Sequence, residues 1–253
     1  MARKRRSTHH PAAPRAVSAV LDAALAAVAD PALAAPALLT LKVAAATFVA
    51  HLVLGIGLGW ALALPRWPGR TVLDVAVTLP MVFPPLAMGF FLLLALGRRS
   101  PLGQWLAETF GLRFVFTFEG VLLASVIVGL PLVVKPIEAA IAGVSRRLGE
   151  ASRTLGRNEW ETFAWVILPN VRPAIIAGLV LATARSLGEV GITLMLGGNI
   201  VGRTNTVSLE IYNAVFNGEY PRAVVLSALL GMVSIAVFVA LRRAGAVRLP
   251  IGA

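Results

Sequence analysis

Residues 150–170 read EASRTLGRNEWETFAWVILPN. In a chain that is otherwise largely apolar, this stretch gathers Glu150, Arg153, Arg157, Glu159 and Glu161 and then closes on Leu168 and Pro169. What flanks it decides what such an interruption is for. The 253 residues are 58% hydrophobic and 14% charged, far from the balance of a soluble domain. Five apolar runs are long enough to span a bilayer, at 38–64, 72–97, 120–142, 172–196 and 222–241. They lack the period-two alternation of barrel strands, so the expected fold is all-α and integral to a membrane. One bundle is expected over 37–242, with a basic tail and amphipathic segment at 1–36, a charged connection at 143–171 and a C-terminal tail at 243–253.

The basic residues orient the bundle. Arg146, Arg147, Arg153, Arg157 and Arg172 cluster around the interrupting stretch and place it on the cytoplasmic side. Alternating the spans puts Arg66, Arg70, Arg242, Arg243 and Arg248 on the same side, and Arg98, Arg99, Arg113, Arg203 and Arg222 outside. The tail MARKRRSTHH then falls outside, against the preference of Arg3, Lys4, Arg5 and Arg6. Residues 16–35 offer three ways out: a cleaved signal peptide, a weak sixth span, or an amphipathic helix at the interface. Asp22, Asp30 and Pro31 weigh against the first two and favour the surface helix.

Several function classes drop out. The net charge of +11 lies between and beside apolar spans, where it orients a membrane protein and does not call for nucleic acid. Zero cysteines exclude disulfides and thiolate chemistry, and His9, His10 and His51 make a poor metal cage. No cofactor is expected in this chain.

Polar and helix-breaking residues within the spans mark candidate function. Pro80, Pro84 and Pro85 fall in the second span and Pro131 and Pro136 in the third, where each bends or breaks a helix. Such helices line a path or carry a static kink. Arg185 and Glu189, four residues apart in the fourth span, share a helical face. Isolated charges in hydrocarbon cost several kcal/mol, so the pair faces a bundle interior or water. It either borders a translocation path, with Arg185 attracting an anion, or neutralises itself as a structural pair. Lys42 and Lys135 are expected to snorkel from span ends. Gly55 and Gly59 permit close helix approach, and Gly197, Gly198 and Asn199 read as a helix-ending turn. Met81, Phe83 and Met88 are gate candidates by their position near the prolines.

The opening stretch itself reads as a short helix lying parallel to the membrane, whose Leu155, Trp160, Phe163 and Trp165 form a docking surface. Here the sequence resembles a known family. Glu150-Ala151-Ser152, Gly156, and Val166-x-Leu168-Pro169 match the EAA-G-IxLP signature of permease subunits of bacterial ABC importers, with nine residues between the glycine and the aliphatic position. Ser152 stands for the second alanine and Val166 for isoleucine. Residues 71–103 and 184–212 resemble the molybdate branch, with tungstate and sulfate permeases similar in the same places. The resemblance implies a type I importer bundle of five core helices in the bacterial cytoplasmic (inner) membrane. It also implies that Glu150, Ala151, Ser152, Gly156, Leu168 and Pro169 belong to a coupling helix fitting a cleft of an ATP-hydrolysing subunit. Arg185, Glu189, Pro84 and Pro85 are carried forward as translocation-path candidates.

The implied partners are a second copy of the chain, two ATP-binding subunits that hold ATP and Mg, an external oxyanion-binding protein and the lipid bilayer. The chain itself is not expected to be an enzyme. Two other classes compete: a membrane-embedded enzyme would show paired carboxylates, a His cluster or a Ser-Lys arrangement in its spans, and Glu189 stands nearly alone there. A gradient-driven secondary transporter would show inverted repeats, which five spans and one EAA segment do not.

Overall fold

Hydrocarbon offers no partner for a free backbone N–H, so apolar runs close their hydrogen bonds internally as helices. In the computed structural model, which describes residues 31–65, 67–144, 152 and 154–246, no strand occurs among the described residues. A 3-10 turn, Pro31–Leu33, leads into α1 (Ala34–Ala63). α2 (Arg70–Val82), α3 (Pro85–Leu96), α4 (Pro101–Phe110) and α5 (Phe118–Gly143) follow. The remaining elements are α6 (Glu159–Leu187), α7 (Gly191–Gly197), α8 (Val207–Phe216) and α9 (Tyr220–Ala246). Among the described residues, four helices are long and apolar enough to cross a membrane: Pro31–Ala63, Phe118–Gly143, Glu159–Leu187 and Tyr220–Leu241. The tail at 1–30, with its expected surface helix, lies outside the described residues.

Two expected spans are not single helices. The second divides into α2 and α3, and the cause is local: a residue preceding proline is driven out of the helical region. Phe83 precedes Pro84 and Pro84 precedes Pro85, so both are extended (ψ 137° and 128°). Pro85 then starts α3 at a position that suits its fixed φ and missing N–H. The fourth span stops at Leu187 and resumes as α7. By contrast, Pro131 and Pro136 sit inside an unbroken α5, with Pro131 buried. These two prolines therefore do not break their helix.

α5 is the central element, packed between α1 and α6. Glycine makes the approach close: a methyl group added at Gly55 would lie 2.6 Å from Val133 Cγ2, and one at Gly59 2.6 Å from Ile137 Cγ2. Without a hydrophobic force between helices in lipid, such close contact is what holds them. The main core cluster follows, with Leu62, Val133, Val134, Ile137, Val171, Ile175 and Leu179 buried at this three-helix junction. A second cluster joins α3, α5 and α7 through Met88, Ala124, Val128 and Ile192. Met88, one of the gate candidates, therefore packs inside the bundle near the start of α3. Met81 is exposed.

Candidate functional site

Two assemblies of polar and strained residues sit at opposite ends of α6. At its N-terminal end is the segment that resembles a coupling helix. Gly156 has φ +81°, and a side chain there would meet nothing within 4 Å. The requirement is thus for the left-handed backbone, which glycine adopts freely, and not for space. The turn brings Arg157 N–H to Ser152 O at 3.2 Å. Asn158 then caps the next helical turn in both directions: its Oδ1 accepts from Glu161 N–H at 2.8 Å, and Glu161 Oε2 accepts from Asn158 N–H at 3.0 Å. Ser152, standing where the signature has alanine, is buried and shares a 3.0 Å hydrogen bond with Thr162 Oγ1. The substitution thus has a partner waiting for it.

The segment is not a separate helix closed by a proline stop. Glu159–Thr162 runs directly into a π-helical stretch, Phe163–Ile167, and on into the span. Proline in a continuing helix lacks the N–H for its i−4 carbonyl and presses its ring on that group. The widened π turn, in which Leu168 N–H reaches Phe163 O, accommodates Pro169 directly after it. Phe163 is also not on the surface. It is buried under Trp60 at the end of α1 (ring centroids 5.0 Å apart), with Trp160 stacked on the same indole at 5.2 Å. Leu155, Trp160 and Trp165 remain exposed, at 80%, 69% and 72%. A notch lined by Leu155, Gly156, Arg157, Glu161 and Trp165 opens between them. Glu150 and Ala151 lie outside the described residues.

At the other end of α6, Arg185 Nη1 pairs with Glu189 Oε2 at 3.1 Å, while Glu189 Oε1 accepts Ile192 N–H at 2.8 Å. Glu189 therefore occupies the break between α6 and α7 and satisfies a donor at the start of α7, which is why a carboxylate is stable there. Its side chain is 2% exposed against 42% for Arg185. The break in α2–α3 abuts this joint: a methyl group at Gly191 would lie 3.0 Å from Pro85 Cβ, and one at Gly89 2.9 Å from Ile192 Cα. Pro84, Pro85, Arg185 and Glu189 thus gather where two interrupted helices meet.

The structure also assembles a group that sequence reasoning missed. Lys135 does not snorkel; its Nζ donates to Asp74 and to Glu138 (2.7 Å), and Arg70 Nη2 reaches Glu138 at 3.1 Å. Arg70 Nε also holds the carbonyl of Leu62, at 2.8 Å. This four-residue network ties α2 to α5, so Glu189 is not alone among span carboxylates. The only sequence signal was the i,i+4 spacing of Arg70 and Asp74 and the i,i+3 spacing of Lys135 and Glu138. His51 was likewise set aside, yet it is fully buried, donating from Nε2 to Val126 O at 3.0 Å. Gly129 leaves room for its ring: a methyl group there would lie 2.3 Å from His51 Cε1. Among the described residues, no group of three or more His, Cys, Asp or Glu is placed to hold a metal.

Comparison with known proteins bears on these sites. Residues 52–246 match the family model of the binding-protein-dependent transport system inner membrane component. The chain is 39% identical over 202 residues to the molybdenum transport system permease protein ModB of Escherichia coli K12, covering 78% of this chain and 88% of that protein. It is 40% identical to ModB of Azotobacter vinelandii over 73% of this chain and 82% of the relative. Against the sulfate transport system permease protein CysT of Escherichia coli K12 the identity is 33%, over 72% and 67%. In fold it is similar to a chain of a bacterial ABC transporter that imports the acidic polysaccharide alginate. That match has a TM-score of 0.73 and 16% identity, and covers 92% of this chain and 88% of the other.

Proposed function

The chain belongs to the family of binding-protein-dependent transport system inner membrane components, and we propose that it is the permease subunit of an ATP-driven importer for molybdate. The observation that carries the substrate is the gradient of similarity: 38–40% identity to ModB proteins against 33% to CysT. Sulfate or tungstate is the second reading, because an oxyanion of the same tetrahedral shape makes the same demands on a path.

In this reading two copies of the chain form the pathway, two ATP-binding subunits dock beneath them, and an external binding protein delivers the anion. Hydrolysis, with its ATP and Mg, belongs to the docked subunits. Glu150, Ala151, Ser152, Gly156, Leu168 and Pro169 form the coupling segment. Its exposed Leu155, Trp160 and Trp165 offer apolar area, and Arg157 and Glu161 offer charge on the rim of the same notch. Closure of the ATPase pair moves these segments and swings the spans between inward-open and outward-open states. At the far joint Glu189 has a structural duty, whereas Arg185 presents a partly exposed cation to an anion passing the joint.

The test is ATP hydrolysis by the chain reconstituted in lipid with its ATPase and binding protein, with molybdate, tungstate or sulfate added singly. Stimulation by molybdate and not sulfate is expected. Stimulation by sulfate alone transfers the assignment to the sulfate branch, and no association with any ATPase removes the coupling assignment.

A further inference from the structure

Beside the joint lies a small, partly open cavity. Its walls come from α1 (Thr47), α5 (Ser125), α6 (Thr183 and Ser186), Glu189 and α7 (Thr193). Thr40 and Thr206 complete a lining of seven hydroxyl residues and one carboxylate, set beside Val43, Ala44 and Leu187. Ser186 Oγ is accounted for, donating to Ser125 O at 2.7 Å. Thr47 Oγ1 and Thr183 Oγ1 are not: both are buried and neither has a hydrogen-bond partner in the protein. One turn along α1 from Thr47, His51 gives its Nε2 proton to Val126 O, and its Nδ1 is likewise unpartnered.

A buried hydroxyl left without a partner is costly, and the few that occur in native proteins generally bind ordered water. The cavity has a volume of about 20 Å³, which suits one water and is far too small for a tetrahedral oxyanion. We infer that a single bound water bridges the Thr47 and Thr183 hydroxyls, linking α1 to α6 beside Glu189. A hydroxyl both donates and accepts, so one threonine donates to the water while the water donates to the other. The water site does not depend on which ion the protein carries.

The test uses valine, which keeps the shape of threonine and removes only the hydroxyl. Thr47→Val, Thr183→Val and the double variant of the full chain are compared with the unmodified protein by thermal unfolding in lipid nanodiscs. Each single variant is expected to lower Tm by about 2–4 °C, the shift that one lost hydrogen bond gives a chain of this size. The double variant is expected to be no worse than the weaker single one, because either change already expels the water. Unchanged or raised Tm in the singles overturns the inference, since deleting a dry, unpartnered hydroxyl is neutral or favourable. Strictly additive losses overturn the bridge. A Tm that depends on replacing sodium by choline, and ceases to in Thr183→Val, overturns it in favour of a cation. Should the variants fail to insert, a density map of the unmodified protein at about 2 Å decides, with water density between the two hydroxyls expected and an empty cavity refuting it.

Discussion

Arg185→Ala removes one partner of a pair whose other member is buried. Glu189 keeps only the Ile192 N–H, and the carboxylate, 2% exposed, loses its countercharge. Breaking a fully buried pair this way costs about 3–5 kcal/mol. Because the Arg185 side chain is 42% exposed, the pair is only half buried, and the figure falls to about 1–2 kcal/mol. That is a Tm lower by about 2–8 °C for a chain of this size. Adding Glu189→Gln takes away the stranded charge while keeping an oxygen for Ile192 N–H, so the double variant should regain most of the lost Tm. Transport is the discriminating readout. If Arg185 serves the anion, oxyanion-stimulated ATP hydrolysis in proteoliposomes stays several-fold below normal in the double variant even though Tm has returned. Recovery of both together would refute the path assignment and leave a structural pair. A Tm untouched by Arg185→Ala would refute the energetic reasoning itself.

Gly59→Val forces a side chain to within 2.6 Å of Ile137 and should cost about 1–3 kcal/mol of thermal stability. Gly57→Ala, which meets nothing within 4 Å, should be close to neutral. Gly156→Ala strains a left-handed residue by about 1–2 kcal/mol and should weaken coupling without impairing membrane insertion. Glu150→Lys and Gly156→Trp should reduce co-purification with the ATPase, and normal co-purification of both would count against docking there. Lys135→Met leaves Asp74 and Glu138 facing each other with Arg70 alone to balance them. Its Tm should fall, and a second change, Asp74→Asn, should restore part of the loss.

Much of the bundle was legible because hydrophobic length and small-residue spacing are local properties of a chain. Gly55 and Gly59 predicted close approach, and the structure shows what approaches them, Val133 and Ile137. Gly198 and Asn199 take positive φ where a helix-ending turn was read. What was not legible depends on partners distant in sequence. Lys135 looked like a snorkelling residue because Asp74 lies 61 positions away. The break before α7 carries no proline and is held by the side chain of Glu189, so the apolar run conceals it. The π stretch had one local sign, Pro169, which read more simply as a stop. Ser152 looked like a lapse from a pattern until Thr162, ten residues on, supplied its partner.

These observations together bear on how a push at the membrane surface reaches the joint. α6 has 29 residues, so it is a rod of about 43 Å with the proposed docking surface at one end and Arg185 at the other. Its irregular points are the π stretch at Phe163–Ile167, Pro173 inside the helix and the break after Leu187. Between them, glycine-tight contacts with α5 leave little room for bending, since a methyl group at Gly178 would lie 2.9 Å from Val133 Cα. Under the proposed coupling, a displacement of the docked end would be carried along α6 and released where the helix is interrupted. Trp60, in contact with both Trp160 and Phe163, would draw the end of α1 into the same movement. The interruption in α2–α3 rests against the one that follows α6, through Pro85 and Gly191. In that reading motion delivered to one broken helix would pass to the other, and Trp60→Ala should lower oxyanion-stimulated ATP hydrolysis while leaving ATPase association intact. Loss of association in that variant would make Trp60 part of the docking surface instead.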